Sequence, residues 1–361
     1  MASQSDLHSG ISVTAPNDIV ERLSVAAAEP LAPESWAKKL APYREARTGR
    51  SILEIVITAA PLLVIWSIAW GLHAMGLWWA ALLLTVPAAL FLVRLFMIQH
   101  DCGHGSFFGE KHANEWVGRV IGVFTLTPYD YWRQTHAIHH ATSGNLDRRG
   151  LGAIEMLTLD EYRAKSPIQQ FGYRLYRHPL VMFGLGPAFV FFLMQRLPIG
   201  MMRQGWRPWV SVMGNALAAA VGLGALIWLF GAAPVLIVNV VTMLLAATMG
   251  VWLFYIQHQF EGASWSRTGE WKRDAAALAG SSHYDLPPVL RWFTANIGIH
   301  HVHHLSSRIP FYRLPKVLDD HPELKPMSRV GLWESFRCAR LALWDEADGR
   351  LLSFREARAK G

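Results

Sequence analysis

Four apolar stretches of helical length constrain this chain more than any other feature. They read ILEIVITAAPLLVIWSIAWGL (52 to 72), LWWAALLLTVPAALFLVRLFMI (77 to 98), WVSVMGNALAAAVGLGALIWLFG (209 to 231) and VLIVNVVTMLLAATMGVWLFYI (235 to 256). A hydrocarbon core takes about 20 helical residues to cross, and each stretch is long enough. Lipid offers no partner to an open backbone, so the crossing segments must be helices. HAMG joins the first two and AAP the second two, which predicts two hairpins. Composition agrees: 361 residues that are 52% hydrophobic and 17% charged, with 16 Trp, suit a lipid-embedded chain better than a soluble two-domain enzyme.

Neither short connection carries Lys or Arg, whereas the three segments outside the hairpins are rich in both. The positive-inside rule then places those three segments, and both termini, on the cytoplasmic side of a multi-pass inner membrane protein. The predicted layout is a cytosolic lead-in over 1–50, a first hairpin over 51–98, a cytosolic segment over 99–206, a second hairpin over 207–256 and a cytosolic segment over 257–361. A fifth apolar stretch, PLVMFGLGPAFVFFLMQRLP (179 to 198), is interrupted by Gly184, Gly186 and Pro187, and is read as re-entrant or interfacial. The tail GLWESFRCARLALWDEADGRL puts Leu332, Phe336, Ala339 and Leu343 near one helical face, predicting an amphipathic helix packed on the cytosolic part. The polar, acidic start MASQSDLHSGISVTAPNDIVERL does not read as a cleaved signal. Cys102 and Cys338 are the only cysteines, so no disulfide framework is expected.

Histidines concentrate in three places. HDCGH holds His100 and His104, four apart, which on a helix continuing out of the second apolar stretch share one face. HAIHH holds His136, His139 and His140, and HHVHH holds His300, His303 and His304, both in an i, i+3, i+4 pattern. Eight imidazoles exceed the four ligands that one zinc ion uses, so two ions are expected. Imidazole suits Zn, Cu, Fe and Ni alike, and open positions for dioxygen would favour iron. His258, just past the last apolar stretch in YIQHQFEG, could supply a ninth nitrogen. His301 falls outside the spacing and is expected to face a neighbouring loop. His73, His112, His178, His283 and His321 are read as amphipathic side chains at a wet boundary. A ligating imidazole donates its second nitrogen to an outer partner, for which Asp101, Asp147, Glu261 and Asn296 stand near in sequence. Together these readings predict an all-α integral membrane protein: four transmembrane helices in two hairpins plus a cytosolic helical metal-binding domain.

In their order and in their placement around the two hairpins, the three clusters resemble the histidine boxes of the integral-membrane fatty-acid desaturases. HDCGHGSFF, HHATSGNLDRRG, QHQFEG and NIGIHHVHHLSSRIPFYRLP are similar to the bacterial acyl-lipid branch, which includes the delta-5 and omega-6 (delta-12) types. The resemblance covers roughly residues 50 to 320. It implies that His100, His104, His136, His139, His140, His300, His303 and His304 bind a non-haem di-iron centre that uses O2, and that His258 matches a further iron ligand of related acyl-coenzyme A desaturases. Those relatives carry an asparagine one turn earlier, held through water, where this chain has Phe254.

Removing two hydrogens from an unactivated alkyl chain is beyond any side chain, so metal and dioxygen must supply the oxidant while the protein supplies position and dryness. The substrate expected is an acyl chain of a membrane lipid. With no haem appendage, four-cysteine cluster set or dinucleotide fingerprint, the chain needs an external electron donor. In bacterial relatives this is commonly a ferredoxin, and a net charge of +7 favours an acidic one. No nucleic-acid partner is expected. The nearest rival is a di-iron hydroxylase or ketolase acting on lipids or carotenoids. A haem electron carrier would want histidines inside the spans, a zinc protease an HExxH motif, and a transporter intramembrane ionisable residues, of which Arg94 is the one noted; it is read as snorkelling to the cytosolic headgroups, the bolder alternative being support of the metal site through an outer carboxylate.

Overall fold

The computed structural model describes residues 33–360, in two units, Met1–Lys39 and Leu40–Gly361. In the first unit the described residues form one helix, α1 (Pro33–Lys39), so most of the lead-in expected over 1–50 lies outside them.

The second unit is mainly helical. Its first two helices, α2 (Thr48–Ala74) and α3 (Trp78–His104), are apolar enough to cross a membrane and pack along each other. Then follow α4 (Lys111–Phe124), α5 (Tyr129–Thr142) and α6 (Pro167–Tyr176). The stretch Val181–Arg196 is wound largely as π-helix and bent 56° from α6. Two further helices of crossing length, α7 (Arg207–Phe230) and α8 (Ala232–His258), break only at Gly231, so the residues AAP begin α8 and do not form the turn. Shorter helices α9 (Pro288–Phe293), α10 (His300–Leu305) and α11 (Leu332–Cys338) complete the parts that matter here.

The expectation of an all-α chain needs correction. Strands β1 (Leu157–Thr158), β2 (His283–Asp285), β3 (Arg329–Gly331), β4 (Leu341–Asp345) and β5 (Arg350–Ser353) form two small sheets, ordered β1-β4-β5 and β2-β3. The tail is therefore not one amphipathic helix: α11 stops at Cys338 and the chain turns to strand. Leu343 is fully buried in a cluster with Leu157, Tyr173 and Leu352, while Phe336, placed with it on one helical face by the spacing, is exposed. Pairing along β4 and β5 buries every residue of β4, which a helix with one apolar face could not do.

Local chemistry sets where the site-bearing helices end. α3 runs past its apolar stretch to His104, and Gly105 at φ 65° closes it, its N–H returning to the carbonyls of Asp101 and Cys102. A left-handed closing residue of this kind is naturally glycine. The first box thus sits in the final turns of α3, as the spacing predicts.

Candidate metal centre

Three elements and one helix end converge. α3 brings His100 and His104, α5 brings His136, His139 and His140, the end of α8 brings His258, and α10 brings His300, His303 and His304. α10 is seated by its own backbone, since the N–H groups of His300 and His301 both donate to the Ser282 carbonyl just before β2. Gly103 gives α5 room: a Cβ there would lie 2.7 Å from Trp132, whose ring stacks on His136 with centroids 4.6 Å apart.

The nine Nε2 atoms form two groups. In one, successive separations run His100–His104 3.3 Å, His104–His136 3.1 Å, His136–His140 3.1 Å and His140–His303 3.2 Å. In the other they run His139–His258 3.0 Å, His258–His300 3.1 Å and His300–His304 3.0 Å. All the ligand atoms within each group lie inside 4.8 Å of one another. The stacked rings of His140 and His304, 4.1 Å apart, join the groups.

These separations fit a cation at the middle of each group. Metal–nitrogen bonds of about 2.1 Å at right angles leave the nitrogens about 3.0 Å apart, and at tetrahedral angles about 3.4 Å. Paired as hydrogen bonds instead, the nitrogens midway along each chain would have to share one proton between two acceptors. A cation accepts a lone pair from every member. One ring also shows which nitrogen carries the proton. His258 Nδ1 meets the Gly280 carbonyl at 3.2 Å and His100 Nδ1 meets Asp101 Oδ1 at 3.2 Å. A carbonyl oxygen only accepts, so His258 keeps its proton on Nδ1 and turns a bare Nε2 inward.

Electrostatics point the same way. Burial pushes His136, His139, His140, His300, His303 and His304 well below the usual imidazole range, and the neighbouring histidines push them further. All are neutral at physiological pH, the form that ligates. His301 is also held down by burial, to about 3, but its Nε2 turns to the Leu324 carbonyl at 3.0 Å, away from both groups.

Of the outer partners suggested by sequence, only Asp101 reaches a box histidine. Its Oδ2 accepts the Phe311 N–H at 2.7 Å, which orients it toward His100. Asp147 is spent on Arg267 and Thr268, and Asn296 donates to the Phe311 carbonyl. Two readings are corrected. His283 is no wet-boundary side chain: it is buried, with Nδ1 2.7 Å from the Lys325 carbonyl and its ring 5.4 Å from that of His301. Arg94 neither snorkels nor touches a carboxylate beside the metal groups. It is buried against Glu54 of α2 and the Trp292 carbonyl, with its guanidinium 3.9 Å from the Trp292 ring centroid. Glu54, also paired to Arg50, is the second ionisable residue of the apolar stretches, and its lone charge in ILEIVITAA was the signal for it.

Phe254 packs 4.9 Å from the His139 ring, beside a cavity of about 20 Å³ that is also lined by Ser143, His258, Gln259 and Trp265. Between α2, α3 and α4, Ile55, Leu62, Leu95, Trp116, Val120 and Phe124 line a wholly apolar groove of about 310 Å³.

Comparison with known proteins gives a consistent result. The family model described as fatty acid desaturase matches residues 77–336. A Bacillus subtilis protein named fatty acid desaturase is 41% identical over 318 residues, spanning 88% of this chain and 90% of its own length. An sn-1 acyl-lipid omega-3 desaturase (ferredoxin) of Synechocystis is 29% identical, over 69% of this chain and 67% of its own. An sn-1 oleoyl-lipid 12-desaturase of Picosynechococcus is 27% identical, over 74% and 78%.

Proposed function

This chain belongs to the fatty acid desaturase family, and from that premise we propose that it is a di-iron acyl-lipid desaturase placing a cis double bond in the acyl chains of membrane lipids. The observation that carries the metal part is the sorting of nine histidines, seven buried and two partly buried, into groups of five and four, each of a size to hold one ion. His100, His104, His136, His140 and His303 would hold the first ion, and His139, His258, His300 and His304 the second. When bound, two irons with dioxygen and two external electrons supply the oxidant that removes two hydrogens. Neutral nitrogen donors leave the charge of the ions uncancelled, and fewer than six per ion leaves positions for exogenous ligands.

The protein's own part is position and dryness. Asp101 fixes the ring of His100, the Gly280 carbonyl fixes that of His258, and Trp132 walls off His136. The apolar groove between α2, α3 and α4 is a surface suited to an acyl chain. We infer that the boxes face the cytoplasm with both termini, the two connections without Lys or Arg lying outside. Parity supports this layout. His140 and His303 meet at 3.2 Å, so an even number of crossings separates them. With α7 and α8 crossing, Val181–Arg196 must return to the side it came from. The donor proposed is a ferredoxin, the carrier named for the Synechocystis relative, drawn by the basic net charge.

The test is lipid mass spectrometry on a desaturase-free bacterial host expressing the chain with ferredoxin, beside His303→Ala. Acyl chains lighter by two hydrogens with the intact chain alone establish the reaction, and the double-bond position reads its regiochemistry. Chains heavier by one oxygen would make it a hydroxylase.

A further inference from the structure

His258 is delivered by a helix end that a buried cation holds in place. Arg177 follows α6 directly and is 5% exposed. Its Nη1 donates to the Glu155 carbonyl at 3.0 Å. Its Nη2 faces three acceptors: Gln259 Oε1 at 2.9 Å, the Tyr255 hydroxyl at 3.2 Å and the Leu341 carbonyl at 2.7 Å. The guanidinium also lies 5.3 Å from the Tyr255 ring centroid. Every one of these acceptors is neutral, and among the described residues Arg177 makes no ion pair. A buried guanidinium without a carboxylate is costly, so its hydrogen bonds must offset a large desolvation.

Those bonds are aimed at one place. Tyr255 and Gln259 bracket His258, one a turn before it and one directly after it. The Tyr255 hydroxyl donates to the Leu341 carbonyl at 2.5 Å, tying the same turn to β4. Gln259 shares the small cavity with His139 and His258. His258 in turn is the member of the four-histidine group that touches both His139 of α5 and His300 of α10. A displacement of the last turn of α8 would therefore break two of the three contacts in that group and none in the other.

We propose that Arg177 is a positioning residue for the four-histidine ion: it locks the final turn of α8 so that His258 Nε2 bridges α5 and α10. The proposal rests on the two-ion reading above.

The full chain, grown on 57Fe and purified in detergent, is compared as wild type, Arg177→Lys and Gln259→Met. Lysine keeps the charge but cannot reach four acceptors; methionine keeps the volume and removes one acceptor. The readouts are iron per chain, Mössbauer spectrum, release of iron to a chelator and melting midpoint. The expected result is a wild type with two irons and variants that release one of them roughly 10-fold or more faster, with one spectral component lost, the other unchanged and the fold intact. If Arg177→Lys fails to accumulate, Gln259→Met decides alone. Variants that keep both irons with wild-type spectra overturn the proposal. So do variants that lose both irons in step with their melting midpoint, since that is general destabilisation. A wild type with fewer than two irons overturns the two-ion reading itself, and this proposal with it.

Discussion

Replacing an imidazole by a methyl group at His303 removes one lone pair from the group of five, and at His139 one from the group of four. Each alanine variant is expected to lose at least about 100-fold in turnover while staying in the membrane, as measured by product formation against immunoblotted membrane protein. Turnover near wild type in either would show the ligand set to be wrong. His301 is the control within the same cluster. Because its Nε2 bonds the Leu324 carbonyl and not a neighbouring box histidine, His301→Ala should cost far less activity than His300→Ala. The reverse order would mean that α10 presents its other face. Gly103 carries a different kind of constraint. Alanine there meets Trp132 at 2.7 Å, so the indole and the stacked His136 must move. Overpacking of this sort costs about 1 to 3 kcal/mol, and Gly103→Ala should lower both the melting midpoint and the iron content.

Among the elements, α2 and α3 are joined by a buried charge pair as well as by apolar packing. Arg94 and Glu54 are 2% and 1% exposed, and Arg94 also holds the Trp292 carbonyl on α9. Removing one member of such a pair strands the other, at a cost of about 3 to 5 kcal/mol, softened here because Arg50 still reaches Glu54 at 2.6 Å. Arg94→Leu should therefore lower the melting midpoint in detergent, and the double variant Glu54→Leu with Arg94→Leu should recover part of the loss. A double variant less stable than Arg94→Leu would rule out the stranded charge as the cause. The pairing of Arg94 could not be read from its own surroundings, since its partner lies 40 residues away on another helix. The tail misled for a related reason. Leu332, Phe336, Ala339 and Leu343 do fall at helical spacing, but β1 and β5 offer a sheet to pair with, and tertiary contacts override a local period.

For the molecule as a whole, a core containing many neutral histidines must weaken in acid. His301 is held to about 3 and His283 is also lowered, both first by burial, so as the pH falls through the unfolded value near 6.5 the unfolded chain binds more protons. The stability these residues contribute is complete above about pH 6.5 and declines as the pH falls toward 3. Melting midpoints of the metal-free protein at pH 7.5, 6 and 5 should fall in that order, and His301→Gln should flatten the slope; a midpoint indifferent to pH would contradict it. The membrane layout has its own test. Cys102 and Cys338 are both buried, so an impermeant maleimide has little background on intact cells. Met75→Cys, in the first connection, should label from outside, and Glu270→Cys should label only after permeabilisation. Labelling of both from one side would refute the parity argument.

Sequence alone determined the four helices long and apolar enough to cross a membrane and eight of the nine converging histidines, because both depend on near neighbours: hydropathy over about 20 residues, and imidazoles three or four apart on one helical face. The ninth, His258, was visible as a candidate but had no companion in its own stretch to give it a spacing. What the tertiary structure decided was the sorting. Boxes two and three are each divided between the groups: His139 leaves His136 and His140 to join His300 and His304, while His303 crosses to the first box. Successive turns of one helix point their side chains in directions about 100° per residue apart, so which neighbour each imidazole meets depends on how α3, α5, α8 and α10 cross. The same holds for Asp101, chosen over Asp147, Glu261 and Asn296 because the Phe311 N–H turns it toward His100, and for Arg177, whose four acceptors come from three distant parts of the chain.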